Sequence, residues 1–115
     1  MRSMNKTYRP WGWYENLQED DGYKIKTIYV NPNQKISLQY HNQRSEHWVV
    51  VFGEGELTLD DEIRNVNIGD YIFVPVMSKH RISAGNNGIM IVEIQMGKVC
   101  DEEDIVRIED DYGRV

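Results

Sequence analysis

Apolar and polar positions alternate along most of this chain in short runs, a pattern typical of β-strands rather than helices. Residues 35–41 show it most clearly. Their apolar members share one face of the predicted strand: Ile36, Leu38 and Tyr40. Their polar members share the opposite face: Lys35, Ser37, Gln39 and His41. We expect the apolar face to point away from whatever the polar face lines, which is either solvent or a polar cavity.

Further strands follow from the same alternation and from β-branched runs. They are expected at residues 23–30, 46–52, 56–59, 63–68, 71–74, 80–84 and 89–95, with 105–108 as a short strand or helix. Turn formers separate them: Gly53–Gly55 and Gly85–Gly88 predict hairpin connections, and 101–104 a solvated turn. Residues 1–8 lack a pattern and are expected to form a loose arm or an edge strand. Without a sustained helical period, the sequence predicts an all-β sandwich or barrel.

Length and charge limit the classes of function. A chain of 115 residues has the size of a single domain, expected to span residues 1–115. The formal net charge of −6 and the pI of about 5.0 argue against nucleic acid or an anionic membrane as a partner. With one cysteine, Cys100, no disulfide can form within the chain. We find no apolar stretch of spanning length and no secretory signal, and we expect a cytoplasmic protein.

Four potential metal ligands are spaced so that they can converge. Gln39 and His41 leave one face of the same strand, a short polar connection follows, and Glu46 begins the next apolar run. His80 follows Pro75 in a later strand-and-turn segment and can supply a fourth donor. A carboxylate, two imidazoles and an amide oxygen suit a divalent ion. These mixed nitrogen and oxygen donors favour Zn²⁺, with Mn²⁺, Co²⁺, Ni²⁺ and Fe²⁺ as alternatives.

Glu46 favours a cavity over a solvent-facing surface. It shares strand parity with apolar residues that avoid water: Trp48, Val50 and Phe52. His47 has the opposite parity, so a packed histidine outside the site competes there with a catalytic role. Glu93 lies in an otherwise apolar strand, where a buried carboxylate needs a partner. The aromatic segment Arg9–Tyr14 either plugs one end of a barrel or stacks on a ligand.

Two spaced patterns resemble the paired motifs of the cupin superfamily. In the first, Glu46 follows His41 by five positions, and Gly53 follows Glu46 by seven. The second runs over six and then five positions: Gly69, Pro75 and His80. Cupins are small jelly-roll β-barrels with a metal inside one end, so the resemblance implies that fold and that site. Four positions depart from the usual cupin residues. Gln39 stands where cupins usually have histidine, and Ala84 stands where they have asparagine. Asn33 and Met77 both stand where glycine is usual.

A more specific resemblance covers nearly the whole chain from Arg9. The string Gln-x-His-x-x-Arg-x-Glu-His-Trp at residues 39–48 resembles the motif of type II mannose-6-phosphate isomerases. Four other segments resemble that family in the same order: Arg9–Gly12, Glu93–Gly97, Asp104–Arg107 and Tyr112–Arg114. In the family this domain is usually the C-terminal half of a bifunctional protein that begins with a mannose-1-phosphate guanylyltransferase. These 115 residues contain no glycine-rich nucleotide loop, so the resemblance does not extend to guanylyltransferase activity.

The resemblance implies interconversion of mannose 6-phosphate and fructose 6-phosphate, which feeds nucleotide-sugar and polysaccharide synthesis. Such a reaction needs a metal to polarise oxygens, a base for the carbon-bound proton, and cations for the phosphate. The candidate cations are Arg44, Lys79, Arg107 and Arg114. Arg44 ranks first because it lies inside the family motif, whereas Arg107 and Arg114 can equally pair with acidic residues of the tail. The candidate bases, in order, are Glu93, His47 and Lys79.

Two other classes of function stay open from the sequence. One is a non-catalytic sugar-binding cupin that keeps the metal, and the other is a different metal-dependent cupin enzyme, such as another sugar isomerase or a dioxygenase. The arginines favour a phosphosugar, which a dioxygenase does not need. As partners we expect a small phosphosugar, no nucleic acid, no membrane and a second copy of this chain. The homodimer follows from the apolar face of residues 36–40 and the aromatic N-terminal segment, which expose more apolar surface than a small barrel covers.

Overall fold

The structure, a computed structural model, describes residues 5–114, which form an antiparallel sheet of nine strands curled into a half-barrel. The strands are β1 (Lys6–Arg9), β2 (Gly12–Asp20), β3 (Tyr23–Val30), β4 (Leu38–Tyr40), β5 (Ser45–Leu59), β6 (Glu62–Asn67), β7 (Tyr71–Val74), β8 (His80–Met96) and β9 (Val106–Glu109). The all-β prediction is confirmed. Within residues 5–114, no helix is long and apolar enough to cross a membrane.

Two long strands, β5 and β8, organise the sheet. They pair antiparallel from Ser45 opposite Met96 to Leu59 opposite His80. The C-terminal half of β8 continues the sheet through β3, β2 and β1, whereas its N-terminal end pairs with β4, which carries β9. The other edge of β5 pairs with β7 near its start and with β6 near its end. Side chains from both halves of the sheet line one internal cavity.

The pairing between β5 and β8 has a bulge where the sequence predicted two hairpins, and that prediction is wrong. Gly53–Gly55 and Gly85–Gly88 both lie inside continuous strands, at a point where the pairing register shifts. Gly53 has a φ of 78°, and a Cβ atom there would lie 2.0 Å from the carbonyl oxygen of Gly88. Backbone therefore approaches backbone at this bulge, which only glycine permits. Glycine and asparagine favour reversals and bulges alike, so the sequence pattern did not distinguish them.

The interior is lined by alternate residues of the long strands, and the inward parity of Glu46 and Glu93 is as expected. The largest buried apolar side chains of β5 and β8 are Trp48, Val50, Leu57, Ile82, Ile89 and Ile91. Phe52 was expected inside with them, but it is 48% exposed because the register shifts between Val50 and Phe52. Fully burying an aliphatic side chain stabilises the fold by roughly 1.5–3 kcal/mol, so this row fixes the strands that present the site.

Ile36 contradicts a further expectation, because it lies in the core and lines the cavity beside Ser37 instead of facing away from it. The chain becomes a regular strand only at Leu38, so strict alternation does not hold before that residue. The surface that Ile36 was expected to offer to a second copy is therefore absent. The homodimer itself stays a prediction.

At both chain ends the structure selects one of the alternatives that the sequence left open, and it corrects one expectation. Lys6–Arg9 forms the edge strand β1, while residues 1–4 of the expected arm lie outside the described residues. Residues 106–109 form a strand rather than a helix. The segment 101–104 is not simply solvated, because Asp104 is buried and its carboxylate accepts hydrogen bonds from backbone N–H groups. The acidic tail thus folds back onto the barrel.

Candidate metal centre and its cavity

Three of the four predicted ligands meet inside the barrel. His41 directly follows β4, Glu46 is the second residue of β5, and His80 begins β8. One donor atom from each lies within 4.8 Å of the others. All three side chains are buried, with exposed fractions of 2%, 1% and 0%. Residues far apart in the sequence converge here because β8 pairs with both β4 and β5.

The ring nitrogens of both histidines are oriented by backbone carbonyls. His41 Nδ1 lies 2.6 Å from the carbonyl oxygen of Asp104, and His80 Nδ1 lies 2.9 Å from that of Ser78. A carbonyl only accepts hydrogen bonds, so each Nδ1 carries the proton and each Nε2 keeps its lone pair in the neutral ring. The two Nε2 atoms face Glu46, at 3.2 Å from Oε2 for His41 and 3.6 Å from Oε1 for His80.

The electrostatics of the cluster fit a divalent cation. Burial lowers the pKa of His41 to about 4, with a further contribution from the Arg44 charge, and burial also lowers the pKa of His80. Both rings are therefore neutral at physiological pH, the form that binds metals. His80 Nε2 is buried and has no hydrogen-bond partner within the described residues, a deficit that a metal ion would satisfy.

Gln39, the fourth predicted ligand, lies beside the cluster with its amide turned. Its Nε2 is 3.5 Å from His41 Nε2, while its Oε1 accepts a hydrogen bond of 2.6 Å from the Ser37 hydroxyl. Rotation of the amide by half a turn exchanges these two atoms and directs the oxygen to His41. Gln39 is thus within reach of the cluster, as the same-face spacing predicted.

Arg44 is buried against the His–Glu–His cluster rather than free in the cavity. Its Nε donates to Glu46 Oε2 at 2.9 Å, and one Nη donates to the carbonyl oxygen of Asp101 at 2.8 Å. The other Nη lies 3.3 Å from His41 Nε2. These contacts brace the connection between the strands that carry His41 and Glu46.

Glu93 is a buried carboxylate next to the ligand cluster. Trp48 Nε1 donates to Glu93 Oε2 at 3.0 Å and to Glu46 Oε1 at 3.1 Å, and Gln95 Nε2 donates to Glu93 Oε1 at 2.8 Å. Burial, together with the neighbouring Glu46 charge, raises the pKa of Glu93 to about 7. A carboxyl group with that pKa can both accept and return a proton at neutral pH.

A cavity of about 110 Å³ adjoins the cluster. Five cationic side chains line it: Arg9, Lys26, Arg44, Arg107 and Arg114. Three carboxylates line it as well: Glu46, Glu93 and Glu102. Five positive groups against at most three negative ones leave an excess of at least two positive charges, although the whole chain carries −6. The cavity therefore favours an anionic ligand.

Two of the arginines that line the cavity, Arg107 and Arg114, differ in their hydrogen-bond partners. Arg107 Nε is buried and has no hydrogen-bond partner within the described residues. Burial and the charges of Arg114 and Arg9 lower the pKa of Arg107, which places these three cations close to one another. Arg114 donates to both carboxylate oxygens of Asp110, so its expected pairing with the acidic tail occurs even though it also lines the cavity.

Two candidate site residues lie elsewhere. His47 is on the outer face of β5, where it hydrogen-bonds the Tyr71 hydroxyl and packs near Phe73. Lys79 is exposed and does not line the cavity, and its backbone N–H is bound by Asp60. The geometry brings neither side chain to the ligand cluster, and it favours the packed-histidine interpretation of His47.

Sequence reasoning missed Lys26 and Arg9 as cavity residues. Lys26 is buried, contacts the ring face of Tyr14 at 4.2 Å and donates to Glu102 at 2.7 Å. Its strand parity was a usable signal, because Lys26 shares it with Val30, which is fully buried. Of the aromatic segment 9–14, Trp11 and Tyr14 line the cavity wall.

A family model described as "Mannose-6-phosphate isomerase C-terminal" matches residues 1–110. The chain belongs to this family. As a family member it is 36% identical over 115 residues to the mannose-1-phosphate guanylyltransferase of Escherichia coli (strain K12), which covers 99% of this chain and 24% of the relative. It is 38% identical over 110 residues to the alginate biosynthesis protein AlgA of Pseudomonas aeruginosa, covering 95% and 23%. The xanthan biosynthesis protein XanB of Xanthomonas campestris pv. campestris (strain B100) is 39% identical over 110 residues, covering 95% and 24%. The chain thus spans about a quarter of the length of these relatives.

Solved structures identify the fold of this family member. An oxalate decarboxylase from Bacillus subtilis superimposes with a TM-score of 0.81 at 17% identity, covering 90% of this chain and 30% of that one. KdgF from Halomonas sp. superimposes with a TM-score of 0.77 at 14% identity, covering 83% and 89%. These likenesses establish the fold alone, and the predicted cupin-type jelly-roll barrel is confirmed.

Proposed function

We propose that this chain interconverts mannose 6-phosphate and fructose 6-phosphate with the help of one divalent metal ion. Membership of the mannose-6-phosphate isomerase C-terminal family supports the reaction. The observation that carries the proposal is one cavity that combines three kinds of group: a buried His–Glu–His cluster, a carboxyl group with a pKa near 7, and a surplus of cations. Isomerisation of a phosphosugar needs all three.

The metal ligands are proposed to be His41, Glu46 and His80, with the Gln39 amide oxygen as a fourth donor. The two neutral imidazoles and the unsatisfied Nε2 of His80 support this set. Mixed nitrogen and oxygen donors favour Zn²⁺ among the divalent ions. When bound, the ion supplies Lewis acidity to the carbonyl and hydroxyl oxygens of the sugar.

Glu93 is proposed as the base. Its carboxylate takes the proton from C2 of mannose 6-phosphate and returns it to C1, while a second proton moves from the C2 oxygen to the C1 oxygen through an enediol. Hydrogen bonds from Trp48 and Gln95 hold both carboxylate oxygens, which keeps the basic atom oriented. A pKa of about 7 leaves a substantial ionised fraction at neutral pH and still permits the return step.

The phosphate is proposed to bind at Arg9, Arg107 and Arg114. The buried Nε of Arg107 has no partner among residues 5–114, so an incoming phosphate oxygen satisfies it. Arg44, the first choice from sequence, is already engaged by Glu46 and by the carbonyl oxygen of Asp101. We therefore assign Arg44 to bracing the Glu46 carboxylate, and we assign the phosphate to the other three arginines that line the cavity.

The experiment is a coupled assay with mannose 6-phosphate after metal removal and reloading with Zn²⁺, Mn²⁺, Co²⁺, Ni²⁺ or Fe²⁺. We expect turnover that chelation abolishes and reloading restores. A metal-loaded protein without turnover under all five ions would sink the enzyme proposal. If mannose 6-phosphate then still raised the melting temperature while mannose did not, the chain would be a phosphosugar-binding cupin.

A further inference from the structure

Asp104 makes three contacts with the connection that carries the ligand His41. Its Oδ1 accepts the backbone N–H of Asn42 at 2.9 Å, and its Oδ2 accepts that of Gln43 at 2.9 Å. Its own carbonyl oxygen lies 2.6 Å from His41 Nδ1. Asp104 is 9% exposed and separated from the connection by about sixty positions, so this is a tertiary clamp and not a local turn.

The clamp acts on the part of the chain that joins two ligands. Residues 42–45 connect His41 to Glu46, and of these four only Ser45 belongs to a strand, β5. Within residues 5–114, the N–H groups of Asn42 and Gln43 have no hydrogen-bond acceptor besides Asp104. The same residue that fixes this backbone also supplies the carbonyl that holds the proton on His41 Nδ1, so backbone position and ring tautomer are set together.

We propose that Asp104 is a positioning residue that sets metal affinity through His41. This inference rests on the proposed metal ligands. The carboxylate fixes residues 42 and 43, and this holds the Asp104 carbonyl against His41 Nδ1 with the Nε2 lone pair pointing at the cluster. Groups that orient a metal-binding histidine typically change metal affinity 10- to 100-fold when they are removed.

The turn between β6 and β7 offers a control residue, Asp70. Asp70 also binds a backbone N–H with its carboxylate, that of Asn67 at 2.7 Å, in the turn between β6 and β7. It does not line the cavity and contacts no proposed ligand. Asp70→Ala therefore removes a hydrogen bond between a carboxylate and a backbone N–H without touching the proposed metal centre.

The test compares Asp104→Ala, Asp104→Asn and Asp70→Ala in the full chain by Zn²⁺ competition with a chromophoric chelator. We expect the Kd for Zn²⁺ to rise roughly 10- to 100-fold in Asp104→Ala. Asp104→Asn keeps one side-chain carbonyl acceptor, so its Kd for Zn²⁺ should lie between that of Asp104→Ala and that of wild type. Asp70→Ala should stay within about twofold of wild type, whatever it does to the melting temperature.

A second readout follows the tautomer directly and needs no metal. In ¹⁵N–¹H spectra of the metal-free protein, His41 should show a protected Nδ1–H in wild type and in Asp70→Ala. That signal should be lost or exchange-broadened in Asp104→Ala, with population of the Nε2–H form. A general loss of stability does not move the proton from one ring nitrogen to the other, so this readout separates positioning from folding.

The outcomes distinguish this inference from the proposed metal site. A wild type that binds no Zn²⁺ would overturn the metal site itself. A wild type that binds Zn²⁺, together with an Asp104→Ala variant of unchanged Kd and unchanged His41 signal, would overturn only the role of Asp104. Equal losses of affinity in Asp104→Ala and Asp70→Ala would also overturn it, because they would indicate an effect through stability alone.

Discussion

Replacing Glu93 by glutamine tests whether the buried carboxyl group has the pKa that its surroundings imply. The substitution keeps the size and shape of the side chain and removes the charge. Gln95 Nε2 donates to Glu93 Oε1 at 2.8 Å, and Gln95 Oε1 is buried without a partner among the described residues. A turn of the Gln95 amide can therefore accommodate the new NH₂ group, so the hydrogen bonds survive the change.

The expected effect on stability depends on pH. Burial and Glu46 raise the pKa of Glu93 from 4.5 to about 7, which corresponds to about 3 kcal/mol. Between these two values the folded state holds a proton that the unfolded state has released. The stability of wild type therefore falls as pH rises through this window, whereas Glu93→Gln lacks that term. The variant should equal wild type near pH 4 and exceed it by up to about 3 kcal/mol at pH 8.

Urea unfolding of metal-free protein at pH 4, 6 and 8 measures this difference. Glu56→Gln, at an exposed carboxylate of β5, is the matched control and should show no such trend. The same Glu93→Gln variant, reloaded with metal, should lose nearly all isomerase turnover because the proposed base is gone. A stability difference between Glu93→Gln and wild type that is constant from pH 4 to pH 8 would refute a raised pKa at this position.

Three further predictions concern the ligands, Arg44 and assembly. The His41→Ala, His80→Ala double variant should lose stoichiometric metal, and metal analysis that finds one ion per chain would rule the site out. Arg44→Ala should lower metal occupancy, and it should lower kcat/KM about thirtyfold (about 2 kcal/mol). Arg44→Lys should recover part of both, and Lys79→Ala, the control, should change neither. An unchanged metal content in Arg44→Ala would contradict the assignment of Arg44 to bracing Glu46. Sedimentation at micromolar concentration should detect a homodimer, and a monomer there would contradict it.

The sequence predicted the convergence of the proposed ligands because strand parity is a strong constraint. Gln39 and His41 differ by two positions, and Glu46 shares parity with Trp48, so both strands had to present these groups to one interior. The same parity relates Lys26 to the buried Val30 on β3. Parity holds only as long as a strand is regular, and Ile36 and Phe52 both lie where regularity fails.

The remaining contacts depend on tertiary structure that no local pattern encodes. The glycine segments of β5 and β8 face each other only because the strands pair, which turns two apparent hairpins into one bulge. The return of the tail onto His41 joins residues about sixty positions apart. Acidic residues after a glycine predict a solvated turn in isolation, and only the folded chain gives Asp104 two backbone N–H groups to bind.

One indole N–H connects the carboxylate of Glu46, a proposed metal ligand, to that of Glu93, the proposed base. Trp48 Nε1 lies 3.1 Å from Glu46 Oε1 and 3.0 Å from Glu93 Oε2, and Trp48 pairs directly with Glu93 across β5 and β8. A single donor cannot fully satisfy two carboxylates, so negative charge accumulates in a buried place. Arg44 offsets part of it, and a divalent ion at Glu46 would offset more. The proximity that raises the pKa of Glu93 therefore also makes the cluster attractive to a cation, and both properties follow from the pairing register of two strands.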